Sequence, residues 1–250
     1  MTGGARRLRL DLAYDGTEFA GWQLQPGQRT VQGTLEVALS RLAGERQVRL
    51  HGAGRTDAGV HARCQVATCD FAGEMNDREI QRALTGMLPR DLRALAVRTV
   101  AAEFDACRDA QAKTYRYRLD RSPHGDPFLA RYALHHPQPL DPGLLRLGLE
   151  RLPGRRDWSG FAAAGCEIRD RVRTLSVARL DEPDDDQLAL TFTADGFLMH
   201  MVRNLVGTLL AIARGRFGVE RIDEVLEAGD RRLAGPTAPA RGLCLERVDY

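Results

Sequence analysis

The sequence predicts an α/β fold of the α+β kind: two tandem ferredoxin-like (βαββαβ) subdomains, residues 1–105 and 106–250, sharing one long antiparallel sheet with the helices on one face. Three observations lead there. Segments with the two-residue period of strands and the 3.6-residue period of helices follow in the order strand, helix, strand, strand, helix, strand. The same order recurs in the second half, without a residue-level repeat. Finally, 250 residues with 43% apolar content suffice to bury one large core or two smaller ones.

Leu8, Leu10, Leu12 and Tyr14 alternate with polar or small residues, as in a half-buried strand, and Asp15 and Gly16 end it in a turn. Beyond a loop containing Trp22, Val31, Leu35, Ala38, Leu39 and Leu42 fall at helical spacing, with Thr30 as N-cap and Gly44 just past the end. Val48 and Leu50 start a short strand into a glycine-rich loop, and residues 62–71 leave that loop as the next strand. Asn76 and Glu79 have the spacing of a capping box. Ile80, Ala83, Leu84, Met87 and Leu88 form one apolar stripe stopped by Pro89, and 92–100 reads as a strand. In the second half, 113–119 is a strand and Asp141-Pro142 caps and starts a helix to Leu152. Strands at 171–180 and 188–194 flank an acidic turn, helices follow at 197–213 and 219–228, and 243–248 closes the chain.

The net charge is only +2, and each predicted subdomain carries +1, so neither is a basic tail. A nucleic-acid partner would have to meet locally clustered charge. All but one of the 36 basic residues are Arg, which suits bidentate phosphate contacts. Five cysteines without a Cys-x-x-Cys pair indicate neither a disulfide framework nor a zinc cage, and point to free thiols in a reducing cytoplasm. The N-terminus lacks the continuous apolar run of a signal peptide. The longest apolar stretch, 197–213, is interrupted by His200, Arg203 and Asn204 and falls short of a membrane span.

Candidate chemistry concentrates in HGAGRTDAGVHA, residues 51–62. Its glycines let a ligand or another backbone approach closely, and Asp57 is the sole acid among small residues. Arg55 stands two positions before it, where it can keep the carboxylate ionised and attract an anionic substrate. The composition also fits a glycine-rich hairpin with one solvated Asp. A dinucleotide fingerprint would need its third glycine where Asp57 sits, and no Gly-Lys-Ser or Gly-Lys-Thr phosphate loop occurs, so no nucleotide cofactor is expected. His51, Asp57 and His61 match no known local metal spacing.

Two further segments carry functional groups. In AKTYRYRLD, period two puts Lys113, Tyr115 and Tyr117 on one face, where phenol rings beside a cation suit base stacking; the same pattern fits two core tyrosines. The helix over 197–213 is apolar nearly all round yet carries Arg203. If buried, this Arg needs a carboxylate partner, for which Asp57 is available; on a half-exposed helix it would snorkel to solvent.

Taken together, these segments resemble the bacterial tRNA pseudouridine synthase A family from end to end. The resemblance is carried by YDGTEFAGWQ (14–23), TVQGTLE (30–36), AGRTDAGVHA (53–62), LPRDL (88–92), KTYRY (113–117), FLMHMVRNLVGTL (197–209) and LAGPTAPARGLCL (233–245). It implies an isomerase that turns uridine into pseudouridine at positions 38, 39 and 40 of the tRNA anticodon stem-loop. The implied enzyme is a cytoplasmic homodimer needing no cofactor or metal, with its catalytic cleft on the sheet face away from the helices. It further implies Asp57 as the catalytic nucleophile, Tyr115 as the residue that stacks on the target base and takes part in proton transfer, and Arg203 as the partner of the aspartate. Arg55, Lys113 and Arg108 are the remaining expected substrate contacts. The sequence departs from the family at two places. Cys107 stands where the Arg of Phe-x-Ala-Arg is usual, after Phe104, Asp105 and Ala106 and with Arg108 next to it, and Cys244 replaces the Tyr of Gly-Leu-Tyr-Leu.

Two other classes compete. A noncatalytic RNA-binding module would bind RNA without forming a product, but no strand reads like the aromatic Gly-Phe-Gly-Phe signature. A metal-dependent nuclease would cut RNA and stop in chelator.

Overall fold

The computed structural model describes residues 5–184 and 186–250; residues 1–4 and Asp185, which falls in the predicted acidic turn, lie outside the described residues. It is a mixed α/β fold of two compact units.

The first unit runs β1 (Arg6–Tyr14), α1 (Val31–Leu42), β2 (His51–Gly52), β3 (His61–Phe71), α2 (Asp77–Met87) and β4 (Leu92–Thr99), the predicted βαββαβ order. In its sheet, β1 lies between β4 and β3 and pairs antiparallel with both, while β2 pairs with β3. Leu8, Leu10 and Leu12 are fully buried, so the period-two pattern marks the core face of a central strand. Both helices start as their caps dictate. The Thr30 side chain accepts from Gly33 N–H, and Asn76 and Glu79 form the reciprocal capping box. Met87 departs from its predicted stripe and is exposed.

The strand predicted from Val48 contracts to β2. Val48 and Leu50 are buried, but their N–H groups donate to Ser40 Oγ (3.0 Å) and Glu36 Oε1 (2.9 Å). Side chains of α1 thus take the hydrogen bonds that a strand partner would have supplied.

The second unit contains β5 (Ala112–Asp120), β6 (Leu134–His135), α3 (Pro142–Glu150), β7 (Gly154–Asp157), β8 (Val172–Asp184), β9 (Gln187–Ala194), α4 (Met201–Ala213) and α5 (Arg221–Ala228). Its sheet order is β5-β9-β8-β7, with β6 parallel to β5. β6 and β7 were not predicted, because two residues in one and the polar Gly-Arg-Arg-Asp in the other carry no apolar alternation. The helix predicted from Phe197 begins only at Met201. His200 has φ 60°, a left-handed conformation that a continuing helix excludes, and Phe197 instead turns its ring edge-on to Tyr115.

The last strand, β10 (Leu243–Asp249), returns to the first unit from Leu245 onward and lies beside β3. The first unit also extends past Asp105 to Gln111. That segment is tied down by Gln111 N–H to the Asp249 carbonyl (2.8 Å) and by the Tyr250 hydroxyl to the Ala106 carbonyl (2.7 Å).

Candidate active site

Asp57 lies in the loop between β2 and β3, half-buried, and Arg55 beside it is exposed. The loop is braced from below by the segment that follows β1. Trp22 N–H donates to the Thr56 carbonyl (3.0 Å), Gly59 N–H to the Phe19 carbonyl (3.3 Å), and the hydroxyls of Tyr14 and Thr56 meet at 2.8 Å. Within the loop, Val60 N–H closes a turn onto the Asp57 carbonyl (3.1 Å). His61, the first residue of β3, accepts the N–H of Gly16 at Nδ1 (3.0 Å).

Contact between the two segments is close enough to demand glycine. A Cβ on Gly16 would stand 2.0 Å from the Val60 carbonyl oxygen, and one on Gly21, whose φ is +93°, would stand 2.8 Å from that of Thr56. Most of YDGTEFAGWQ is therefore the seat of the aspartate loop. Sequence reasoning found the loop but not these supports, which lie about 35–45 residues earlier in the chain and become neighbours only through the pairing of β1 with β3.

TVQGTLE extends the seat. Buried Gln32 accepts Leu24 N–H (2.9 Å) and donates to Glu36 (2.9 Å) and to the Leu50 carbonyl (3.2 Å), joining the loop after Trp22 to the approach to β2. A cavity of about 780 Å³ lined by Leu24, Arg29, Val37, Arg41 and Met87 contains none of the candidate residues.

In the second unit, Tyr115 is buried on β5, opposite Phe192 of β9, with its ring 5.1 Å from Phe197 in a T-shaped contact. Tyr117 is a core residue. Its hydroxyl donates to the Pro239 carbonyl (2.8 Å), and burial pushes its pKa well above the usual phenol value. Both tyrosines are thus buried, as the core-tyrosine reading expects; Tyr115 differs in packing on the Phe197 ring, and Lys113 two residues before it is half-buried. Arg203, half-buried on α4, donates from Nε to the Ala238 carbonyl (2.8 Å), and Ala238 N–H returns a bond to the Arg203 carbonyl (3.0 Å).

The neighbouring Asn204 is fully buried. It donates to the Phe161 carbonyl (2.7 Å) and accepts from Arg231 (2.9 Å) and Thr237 (2.7 Å), so the 231–238 segment is clamped onto α4 around Arg203. Asn204 and Arg231 were not predicted; MVRN marked the place but not the clamp.

Arg108 belongs to the first unit and projects from a turn in which the Asp105 carboxylate accepts the N–H groups of Cys107 and Arg108, at 2.9 and 2.8 Å. Those bonds, the Arg108 N–H foremost, hold the Asp105 carboxyl below the usual range against the opposing effect of burial. Among the described residues no group of three or more His, Cys, Asp or Glu side chains is placed to hold a metal ion, and no helix is long and apolar enough to cross a membrane.

The family model described as tRNA pseudouridine synthase matches residues 12–107 and 149–250. The chain is 42% identical over 246 residues to tRNA pseudouridine synthase A of Streptococcus pneumoniae (strain Taiwan19F-14), covering 98% of both proteins. It is 41% identical over 245 residues to the protein of that name from Streptococcus mutans serotype c, with the same coverage.

Proposed function

Because the chain belongs to the tRNA pseudouridine synthase family and is an isomerase of that class, we propose that it acts on uridines 38, 39 and 40 of the tRNA anticodon stem-loop, with Asp57 as nucleophile. The reaction breaks the bond from ribose C1′ to uracil N1, turns the base, and joins C1′ to C5. The C5 proton is released and N1 gains one, so atoms balance without oxidant, reductant or group donor, and the proposal calls on no cofactor. Asp57 attacks at C1′ or at C6 of the ring or removes a ribose proton, Tyr115 stacks on the base and serves proton transfer, and Arg203 pairs with the aspartate. Arg55, Lys113 and Arg108 contact the RNA. Taking the target uridine out of its stack costs a few kcal/mol, which these contacts offset. From the same family resemblance, the proposal includes a homodimer working in the cytoplasm.

The observation that carries the reading is the Asp57 loop: a half-buried carboxylate on a braced, glycine-rich turn, within a chain matched along nearly its whole length by synthases. The test is release of tritium from uridine labelled at C5 in unmodified tRNA. Asp57→Asn keeps the size and much of the hydrogen bonding of the side chain, so turnover should fall below detection while tRNA binding persists. Pseudouridine formation by purified Asp57→Asn, free of wild-type enzyme, would overturn the assignment. Tyr115→Phe should bind tRNA normally and release tritium more slowly, since stacking survives and the hydroxyl does not.

A further inference from the structure

We infer that the bond between the Tyr14 and Thr56 hydroxyls is a positioning device for the reaction, fixing the loop from which Asp57 presents its carboxylate; the inference rests on the assignment of Asp57 as the reacting group. The two oxygens are 2.8 Å apart, and both side chains are enclosed, Tyr14 at 5% exposure and Thr56 at 6%.

Tyr14 is well placed to act as an anchor. It ends β1, an inner strand paired on both sides, and its backbone is registered against Ala62 of β3 on one side and Leu92 of β4 on the other. Its ring packs against Phe19 and Trp22, each with a centroid 6.4 Å away.

Thr56 is the residue before Asp57, and it is gripped twice, by its hydroxyl and by its carbonyl, which accepts Trp22 N–H at 3.0 Å. That second bond fixes the plane of the peptide leading into Asp57. The turn from Val60 N–H to the Asp57 carbonyl fixes the peptide leading out. The Asp57 Cα thus sits between two restrained peptide planes. Packing alone would be served by Phe and Val at positions 14 and 56; the hydroxyls add direction, because a hydrogen bond weakens steeply with angle whereas an apolar contact does not. A reacting group displaced by about 1 Å can lose on the order of a hundredfold in rate.

The experiment is single-turnover pseudouridine formation at saturating unmodified tRNA, read by tritium release, alongside tRNA affinity and melting temperature. Tyr14→Phe and Thr56→Val should each slow the reaction by about ten- to a hundredfold, with tRNA affinity changed less than about twofold. Because both remove one bond, the double variant should be no slower than the slower single one. Thr56→Ser restores the hydroxyl and should recover most of the rate. Tyr250→Phe is the control. It removes a part-buried hydroxyl bond of similar length in the same unit, to the Ala106 carbonyl (2.7 Å), and should lower the melting temperature without slowing the reaction.

Wild-type rates in Tyr14→Phe and Thr56→Val, additive losses in the double variant, or equal slowing by Tyr250→Phe would each overturn the inference. Should Tyr14→Phe fail to fold, the contrast between Thr56→Val and Thr56→Ser decides it. Failure of the underlying assignment looks different: Asp57→Asn would then form pseudouridine, whatever the Tyr14 variants do.

Discussion

Arg108 stands 77% exposed, 3.6 Å from Asp105, in a turn held by the backbone rather than by its own guanidinium. An exposed pair of this kind contributes about 0–1 kcal/mol, so its charge can be redirected to a phosphate at little cost. Arg108→Ala should therefore weaken tRNA binding and lower the slope of log affinity against log salt by roughly 0.7–0.9, the share of one phosphate contact. An unchanged slope would show that Arg108 only meets solvent. Cys107 is exposed beside it, and Cys107→Arg should leave the melting temperature unchanged. Arg203 is a different case, because its Nε is committed to the Ala238 carbonyl. Arg203→Ala should cost about 1–3 kcal/mol from that carbonyl alone, and abolish turnover if the guanidinium also serves the aspartate. Full stability by denaturant titration would remove the structural half of that expectation.

At the scale of elements, the contact between α4 and the segment after α5 sets how Arg203 is held. A Cβ on Gly207 would lie 1.6 Å from the Pro236 carbonyl oxygen, and Thr208 Oγ1 accepts Gly235 N–H (2.8 Å) one residue further along the helix. Gly207→Ala must push the two backbones apart, and should destabilise the chain by about 2–4 kcal/mol despite the better helix propensity of Ala. An unchanged melting temperature would mean that the segment yields freely. The same contact shows what the sequence reveals and what it hides. Asn76 and Glu79, or Thr30 and Gly33, lie within one helical turn, so spacing alone foretells their bonds. The shortening of β2 is decided by Glu36 and Ser40 on another element, and the start of α4 by a left-handed His200 behind Phe197, neither of which leaves a periodic trace. Asp57 is legible because glycine and a lone acid stand out locally. Tyr14 and Asn204 are not, because their partners come from distant stretches of chain.

Across the whole molecule, stability should fall in two stages on acidification. Burial is the main cause of a lowered pKa at His136 in the second unit; Arg214 and Arg121 add to it, and hydrogen bonds to the backbone of His136 and Gln138 oppose it. The unfolded imidazole, titrating near 6.5, binds a proton before the folded one does, so stability is full above about pH 6.5 and declines as pH falls below it. The carboxylates respond lower. At Asp120, burial acts to raise the pKa, but the Ser122 hydroxyl and the N–H groups of Asp126 and Ser122 outweigh it. At Asp91 the Arg29 hydrogen bond is the largest effect and lowers the pKa directly. Both groups have folded values below the ordinary 3.8, so their stabilisation persists above that pH and is lost as pH falls through the folded values. Melting temperature against pH should accordingly show a shallow decline beginning near 6.5 and a steep one below 3.8. His136→Gln should abolish the first and leave the second. A decline near 6.5 that survives in His136→Gln, or a melting temperature that rises between pH 7 and 5, would refute the role given to the buried imidazole.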